Sequence, residues 1–274
     1  MRSETLDQTL SKTLSKGQNL TTGRIFRASS TNDALNRCAK ECIKPDNCDG
    51  LVRYTVPEYG EMVFANRCPI FEKYKQIIQR KAKVEKILGP LAVHTFQNYD
   101  KSRNVKAYEI SRKYVERRAW EVGGWLILYG GYGTGKTHLL SAIIQEAIMT
   151  GTYASFANLA KIATLGFEES KSELSKLVEY DLLGLDDFGI ESSQNWLTPH
   201  IFKLFDDLNE GKKGLVMTTN MSLKGLQELL GERISDRITE RAIAIELTGE
   251  SMRKSLRKGN VSWADGGDEN GIYR

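Results

Sequence analysis

The feature that most limits what this chain can fold into is Gly130-Gly131-Tyr132-Gly133-Thr134-Gly135-Lys136-Thr137, set between a short apolar run and a helical pattern. Glycines permit backbone conformations that turn successive N–H groups inward around a phosphate. A helix beginning at Lys136 points the positive end of its dipole at the same anion. The spacing predicts that Lys136 reaches the outer phosphates of a nucleotide and that the Thr137 hydroxyl ligates magnesium. Gly130, Gly131, Gly133, Thr134 and Gly135 complete the cradle, so ATP with Mg2+ is the expected cofactor pair. The flanks supply the context such a loop needs. Residues 125–129 are apolar and bounded by glycine pairs, which reads as a buried strand. From Lys136 to Met149 apolar residues recur at helical spacing until Gly151.

Further apolar runs at 153–156, 182–185, 215–219 and 242–247 read as strands, and 159–165, 171–179 and 199–209 read as helices. Strands alternating with helices predict an α/β fold, a five-stranded parallel sheet flanked by helices on both faces. Two of these strands end in chemistry. Asp186 and Asp187 follow Leu185, at the carboxyl end where open parallel sheets place ligands. Asp186 is expected to hold the magnesium, and Asp187 to orient and polarise the attacking water. Asn220 ends the Thr218-Thr219-Asn220 run, in reach of a γ-phosphate or the lytic water.

The rest of the chain is organised around this core. Residues 1–30 are Ser/Thr-rich and polar, a flexible leader without a secretory pattern. Residues 31–75 hold all four cysteines and three prolines, a composition suited to a small loop-rich module. Cys38, Cys42, Cys48 and Cys68 form a candidate Zn2+ site, because a tetrahedral metal can substitute for a core too small to stand alone. An iron–sulfur cluster or unbound structural thiols are the alternatives. A basic amphipathic helix over 72–88, within a linker spanning 76–94, is closed by Gly89-Pro90. The nucleotide domain then takes 95–258, and 259–274 forms a Gly/Asp/Asn-rich tail expected to be disordered. The profile of 40% hydrophobic and 27% charged residues is that of an ordinary soluble protein, and no run approaches the roughly 20 apolar residues that span a bilayer. With no membrane segment and no disulfide framework, the expected location is cytoplasmic. A net charge of +4 leaves the partner open, although basic residues cluster at 80–86, 112–118 and 253–258.

Taken together, residues 130–138, 182–189, 218–220 and the Leu230-Gly231-Glu232-Arg233-Ile234-Ser235-Asp236-Arg237-Ile238 stretch resemble the DnaC/DnaI/IstB group of AAA+ ATPases. His138 after the loop and Thr95-Phe96-Gln97-Asn98-Tyr99, similar to the group's adenine-proximal segment, add to the likeness. The resemblance covers about three-fifths of the chain, roughly 95–255. It implies a P-loop AAA+ domain with a reduced or absent lid, preceded by the small metal-binding module. It also implies self-association through AAA+ interfaces, because such sites are completed by a neighbouring subunit. Arg233, Arg237 and Arg241 share a helix face. Arg237 matches the family's arginine finger best and Arg233 second, and such fingers contribute about 10³–10⁵ in rate. Arg253 is similar to the arginine that senses nucleotide in cis, and His138 joins the cofactor-binding set. Where most AAA+ proteins carry glutamate, Asp187 is one methylene shorter, which suggests slow, switch-like hydrolysis.

By the same resemblance, Phe167 and Trp196 fall at positions that contact single-stranded DNA, where aromatic rings can stack on bases. The alternative is that both are core residues. Some helicase loaders of the group carry an N-terminal zinc module, whereas transposition helpers generally lack one. The expected function is therefore ATP-dependent loading of a hexameric replicative helicase onto single-stranded DNA. An IstB-like helper acting on duplex DNA is the first alternative. A nucleotide-sensing adaptor without significant turnover is the second.

Overall fold

A computed structural model of the 274-residue chain describes residues 25–41, 48, 50–60, 62–189, 196–249 and 251. The chain divides into two compact units, Met1–Lys81 and Ala82–Arg274.

The first unit contains a strand β1 (Ile25–Arg27), a helix α1 (Thr31–Glu41) and strands β2 (Leu51–Thr55) and β3 (Val63–Arg67). β1 pairs parallel with β2, and β2 pairs antiparallel with β3. Along β2 the buried residues alternate, so Val52 and Tyr54 point into a core shared with Ala28, Ala34 and Cys68. This is more regular than the loop-rich module its composition suggests. β1 also lies inside the stretch expected as a featureless leader to residue 30. Three residues are too few to show a period; their order comes from pairing with Arg53, Tyr54 and Thr55.

Helix α2 (Pro69–Leu88) starts three residues before the apolar period becomes visible, with Pro69 at its first position, where a missing N–H costs nothing. It ends at Leu88, and the next turn, Gly89–Val93, is a 3₁₀ helix rather than a continuation.

The second unit continues with α3 (Val105–Glu116), β4 (Trp125–Gly130), α4 (Lys136–Met149), β5 (Ala154–Asn158), α5 (Leu159–Ile162) and α6 (Phe167–Leu177). It closes with β6 (Leu182–Phe188), α7 (Thr198–Glu210), β7 (Gly214–Thr219), α8 (Leu223–Arg241) and β8 (Ala242–Leu247). The five strands from β4 onward form one parallel sheet in the order β5-β6-β7-β4-β8. This is the AAA+ P-loop fold. One sheet face is covered by α3, α4 and the lead-in segment from Leu88 to Tyr99, the other by α5 through α8.

α4 is buried over most of its circumference, Ser141 and Ala142 included, because α3 and the lead-in segment cover the side turned away from the sheet. Each large apolar side chain buried there stabilises by about 2 kcal/mol. β6 approaches α4 so closely that a Cβ at Gly184 would meet Ile144 Cγ1 at 3.0 Å and Leu140 Cδ1 at 3.1 Å. α8 is broken at Gly231 (φ 70°, ψ 169°), so the arginine-bearing stretch is a second helical segment. Among the described residues no helix is long and apolar enough to cross a membrane.

Candidate nucleotide-binding site

β4 delivers the glycine loop to the carboxyl end of the sheet, between β7 and β8. Gly133 (φ 73°) and Gly135 (φ 97°) take left-handed conformations that L side chains rarely adopt, and these turn the backbone into α4. The Lys136 ammonium donates to Gly130 O at 2.9 Å and Gly131 O at 2.6 Å, and the residue is only 6% exposed. The Thr134 hydroxyl, also on a buried residue, closes the loop on Gly131 O at 3.0 Å. A buried ammonium held by two loop carbonyls at a helix start puts positive charge where phosphate oxygens could take those carbonyls' place.

β7 lies between β4 and β6, so its end separates the loop from the acids. Asp186 is 3% exposed, and its Oδ1 accepts from Thr218 Oγ1 at 2.7 Å and from Thr137 Oγ1 at 2.9 Å. Burial raises the Asp186 pKa, the neighbouring Asp187 raises it further, and the two threonine hydroxyls and Asn158 pull it back. A buried carboxylate beside a hydroxyl on the loop helix is a donor set for a hard divalent cation. The register between β6 and β7 slips between Leu185 and Phe188, so the two aspartates sit in a bulge. Asp187 has φ 56°, a left-handed conformation that aspartate tolerates better than most residues. Two contacts hold it: its N–H donates to Thr218 Oγ1 at 3.0 Å, and Asn158 Nδ2 donates to its Oδ2 at 3.3 Å. Asn220 is half-buried, immediately after β7.

The lead-in segment is fastened to α4 by side chains. Gln145 Nε2 donates to Ala92 O at 2.9 Å and His94 O at 2.8 Å, and His138 Nε2 lies 2.8 Å from Thr95 O. His138 also packs on His94, ring centroids 4.6 Å apart, and edge-on to Tyr99 at 5.1 Å. Burial lowers the pKa of both histidines. His138, expected in the cofactor set, thus contacts the segment beside the loop. Asn104 ties three parts together: its amide donates to Thr134 O at 3.4 Å and Thr248 O at 3.3 Å, and its Oδ1 accepts from Thr248 N–H at 3.0 Å.

The remaining candidates are placed as follows. Phe167 is 48% exposed at the start of α6, its ring 5.5 Å from Trp196 and 5.6 Å from His200. Phe167 is therefore not a core residue, whereas half-buried Trp196 packs partly against the core. Arg233 and Arg237 lie on α8, but their side chains fall outside the description, as does Arg253 entirely. Ser251, two residues before Arg253, lies against Gly133, which brings the end of the described chain to the loop. In the first unit Cys68 is buried, and a hydrogen bond with Cys38 lowers its thiol pKa to about 6. Cys48 Sγ accepts from Gly50 N–H at 3.4 Å, and Gly50 O accepts from Cys68 N–H at 2.8 Å. Cys42 lies outside the described residues, and among those described no three His, Cys, Asp or Glu side chains converge as a metal site. A thiol of lowered pKa beside a second thiol suits zinc chemistry, and three of the four expected ligands, Cys38, Cys48 and Cys68, fall among the described residues.

Three residues with clear structural tasks carry no role in the sequence reading. Asn158 precedes a helix and caps it by accepting from Lys161 N–H at 3.0 Å; that cap signal was legible, but its second contact with Asp187 was not. Thr218 was in view next to Asn220, and Asn104 has no local signal at all.

The residues present fit a magnesium nucleotide. When bound, that group supplies the electrophilic phosphorus and the metal's charge. The loop would enclose the phosphates, Thr137 and Asp186 would hold the metal, and Asp187 would stand beside them in the bulge.

The comparisons with known proteins agree. Residues 79–260 match the family described as IstB-like ATP binding protein. The replicative helicase loader DnaC of Escherichia coli (strain K12) is 29% identical over 153 residues, 53% of this chain and 62% of that one. The chain thus spans about three-fifths of the length of that loader. An uncharacterised protein of the same strain, YdaV, is 27% identical over 226 residues, 77% of this chain and 88% of that one. Among solved structures, the DnaC helicase loader superposes with a TM-score of 0.52 at 22% identity, covering 58% of this chain and 99% of that one. DnaI gives 0.50 at 22% identity, covering 59% and 92%. On a match that takes in most of its length and the whole nucleotide site, the chain belongs to the family of IstB-like ATP-binding proteins.

Proposed function

We propose that this protein loads a replicative DNA helicase onto single-stranded DNA and uses ATP hydrolysis as the switch for release. The observation that carries the reading is the presence in one domain of a phosphate loop with its paired acids and of an aromatic pair, exposed Phe167 beside half-buried Trp196, on which an unpaired base can stack. The similarity to proteins named replicative helicase loader supports it. In this reading Thr137 and Asp186 hold Mg2+, Lys136 binds the outer phosphates, Asp187 polarises the attacking water and Asn220 contacts it. Arg237, or Arg233 in its place, enters the site of a neighbouring copy, and Arg253 reads the nucleotide in cis. The cysteine unit holds Zn2+ and docks on the helicase, and the protein works in the cytoplasm.

The test uses the full chain and a hexameric replicative helicase in a pull-down with and without ATP and Mg2+. The unaltered protein is expected to retain helicase with ATP and release it on turnover. Asp187→Asn is expected to keep ATP affinity, lose turnover and hold the helicase. Retained hydrolysis would remove Asp187 from its role. The match to the IstB-like ATP-binding family favours a second reading, a transposition helper. Helicase indifference together with ATP-dependent filaments on duplex DNA would establish that reading instead.

A further inference from the structure

Four loops meet at the amino-terminal end of the parallel sheet, the pole opposite the glycine loop. Because β5, β6, β7 and β4 are successive neighbours, the residues leading into them line up. Thr152 before β5, Asp181 before β6, Lys212 and Lys213 before β7, and Arg118 and Trp120 before β4 line one cavity of about 420 Å3. Two acids face it. Glu121 pairs with Arg118 at 2.9 Å and Asp181 with Lys213 at 2.9 Å, while Lys212 has no ion pair among the described residues. Arg241 reaches the same corner: a Cβ at Gly123 would meet its Nη1 at 2.8 Å and Lys212 O at 3.0 Å. That Nη1 is buried and has no hydrogen-bond partner among the described residues.

The backbone singles out the same place. Among the described non-glycine residues, positive φ occurs at Arg118 (48°), Asp187 (56°) and Lys212 (48°). One is an acid of the nucleotide site; the other two line this cavity. Both follow helix ends, where the left-handed conformation ordinarily falls to glycine. The chain thus places cations where local conformation favours a residue without a side chain.

Beside the cavity stands an aromatic surface. Tyr153, next to Thr152, is 45% exposed and stacks on Tyr180 with centroids 4.5 Å apart and planes at 29°. The Lys83 ammonium lies 4.9 Å over the Tyr153 ring, and Tyr153 O accepts from Asp181 N–H at 2.8 Å. The stacked pair is thus joined through the backbone to two residues that line the cavity, Thr152 and Asp181.

We propose that this pole is a second contact surface for single-stranded nucleic acid, separate from the Phe167–Trp196 platform. Backbone phosphates bind at Arg118 and Lys212, and an unpaired base stacks on the Tyr153–Tyr180 pair. Cations flanking a ring pair whose outer member, Tyr153, is exposed suit a strand that alternates phosphates with π faces. An acidic peptide would use the cations and leave the rings unused, and a duplex has no free base face to offer. The proposal does not depend on the helicase reading.

The experiment is anisotropy of a labelled oligo-dT strand titrated with the full-length protein over a range of salt concentrations. Arg118→Gly with Lys212→Gly removes both charges while relaxing the backbone, so thermal stability and DNA-free ATP turnover are expected to hold. Affinity should fall about tenfold, and the slope of log K against log salt should flatten by about 1.4, near 0.7 for each lost phosphate contact. Tyr153→Ala should weaken binding about tenfold with the slope unchanged. Unaltered affinity and slope in these variants overturn the proposal, as does absence of binding by the unaltered protein at low salt. A labelled poly-glutamate probe is the second arm. If the double variant loses that probe and keeps the oligonucleotide, the surface docks an acidic protein and the nucleic-acid assignment is wrong.

Discussion

Asp186 shows stability and function pulling in opposite directions at a single residue. Its folded pKa is raised above the ordinary 3.8, chiefly by burial. Below that ordinary value the carboxyl is neutral in folded and unfolded chain alike, and burial costs little. As pH rises through the raised folded value, the folded state must carry a buried charge, and stability is lost. Asp186→Asn removes that charge and keeps an acceptor for Thr137 and Thr218. Without nucleotide at pH 7 the variant is expected to melt higher than the parent by about 2–4 °C, the shift that ~1 kcal/mol produces in a chain of this size. The gain should vanish near pH 4, and magnesium-dependent nucleotide affinity should drop. Thermal melts at the two pH values with calorimetric ATP titrations check this; a variant no more stable at pH 7 would mean that the threonine hydroxyls already compensate the charge.

At the scale of elements, the β6 bulge and the end of β7 act together. Thr218 bridges them by donating to Asp186 and accepting from the Asp187 N–H. Thr218→Val keeps the shape and removes both contacts, leaving the part-buried Asp187 amide without that partner. Turnover should fall about tenfold while ATP affinity changes little, as steady-state rates and binding titrations would show. Loss of affinity equal to loss of rate would instead mean that Thr218 acts on the metal side through Asp186. The strands themselves were legible, because glycine pairs and apolar runs bound them. The bulge was not: β6 is buried almost throughout, and a one-residue slip in a strand without alternation leaves no mark on its pattern. α6 begins at Phe167, earlier than its periodicity, because its first turn is Gly166-capped and carries Glu168 and Glu169, which suit a helix start but show no apolar repeat. The break of α8 at Gly231 likewise follows from one backbone angle that residue type allows but does not dictate.

At the scale of the whole molecule, the two units differ in how they can stand alone. The nucleotide unit packs a core on each sheet face, whereas the first unit has five buried apolar residues in its core cluster. A unit so small gains most from a cross-link. Freshly purified protein is expected to carry one zinc per chain by elemental analysis. Chelation should unfold the first unit, with loss of its circular dichroism, and leave ATP binding by the second intact. Protein free of zinc, or chelation without structural effect, would leave Cys38 and Cys68 as structural thiols whose contact lowers the Cys68 pKa.

By itself the sequence determined the phosphate loop, the parallel α/β class and the strand ends that carry the acids. Each of these is written locally, in a glycine spacing, an apolar run or a turn. Tertiary structure alone decided the strand order β5-β6-β7-β4-β8, which puts Thr218 between the loop and Asp186 and gathers Thr152, Asp181, Lys212 and Arg118 at the far pole. It also decided that Asn104 and Asn158 serve the site from distant positions. Contacts between residues far apart in the chain depend on which strands become neighbours, and no local period records that choice.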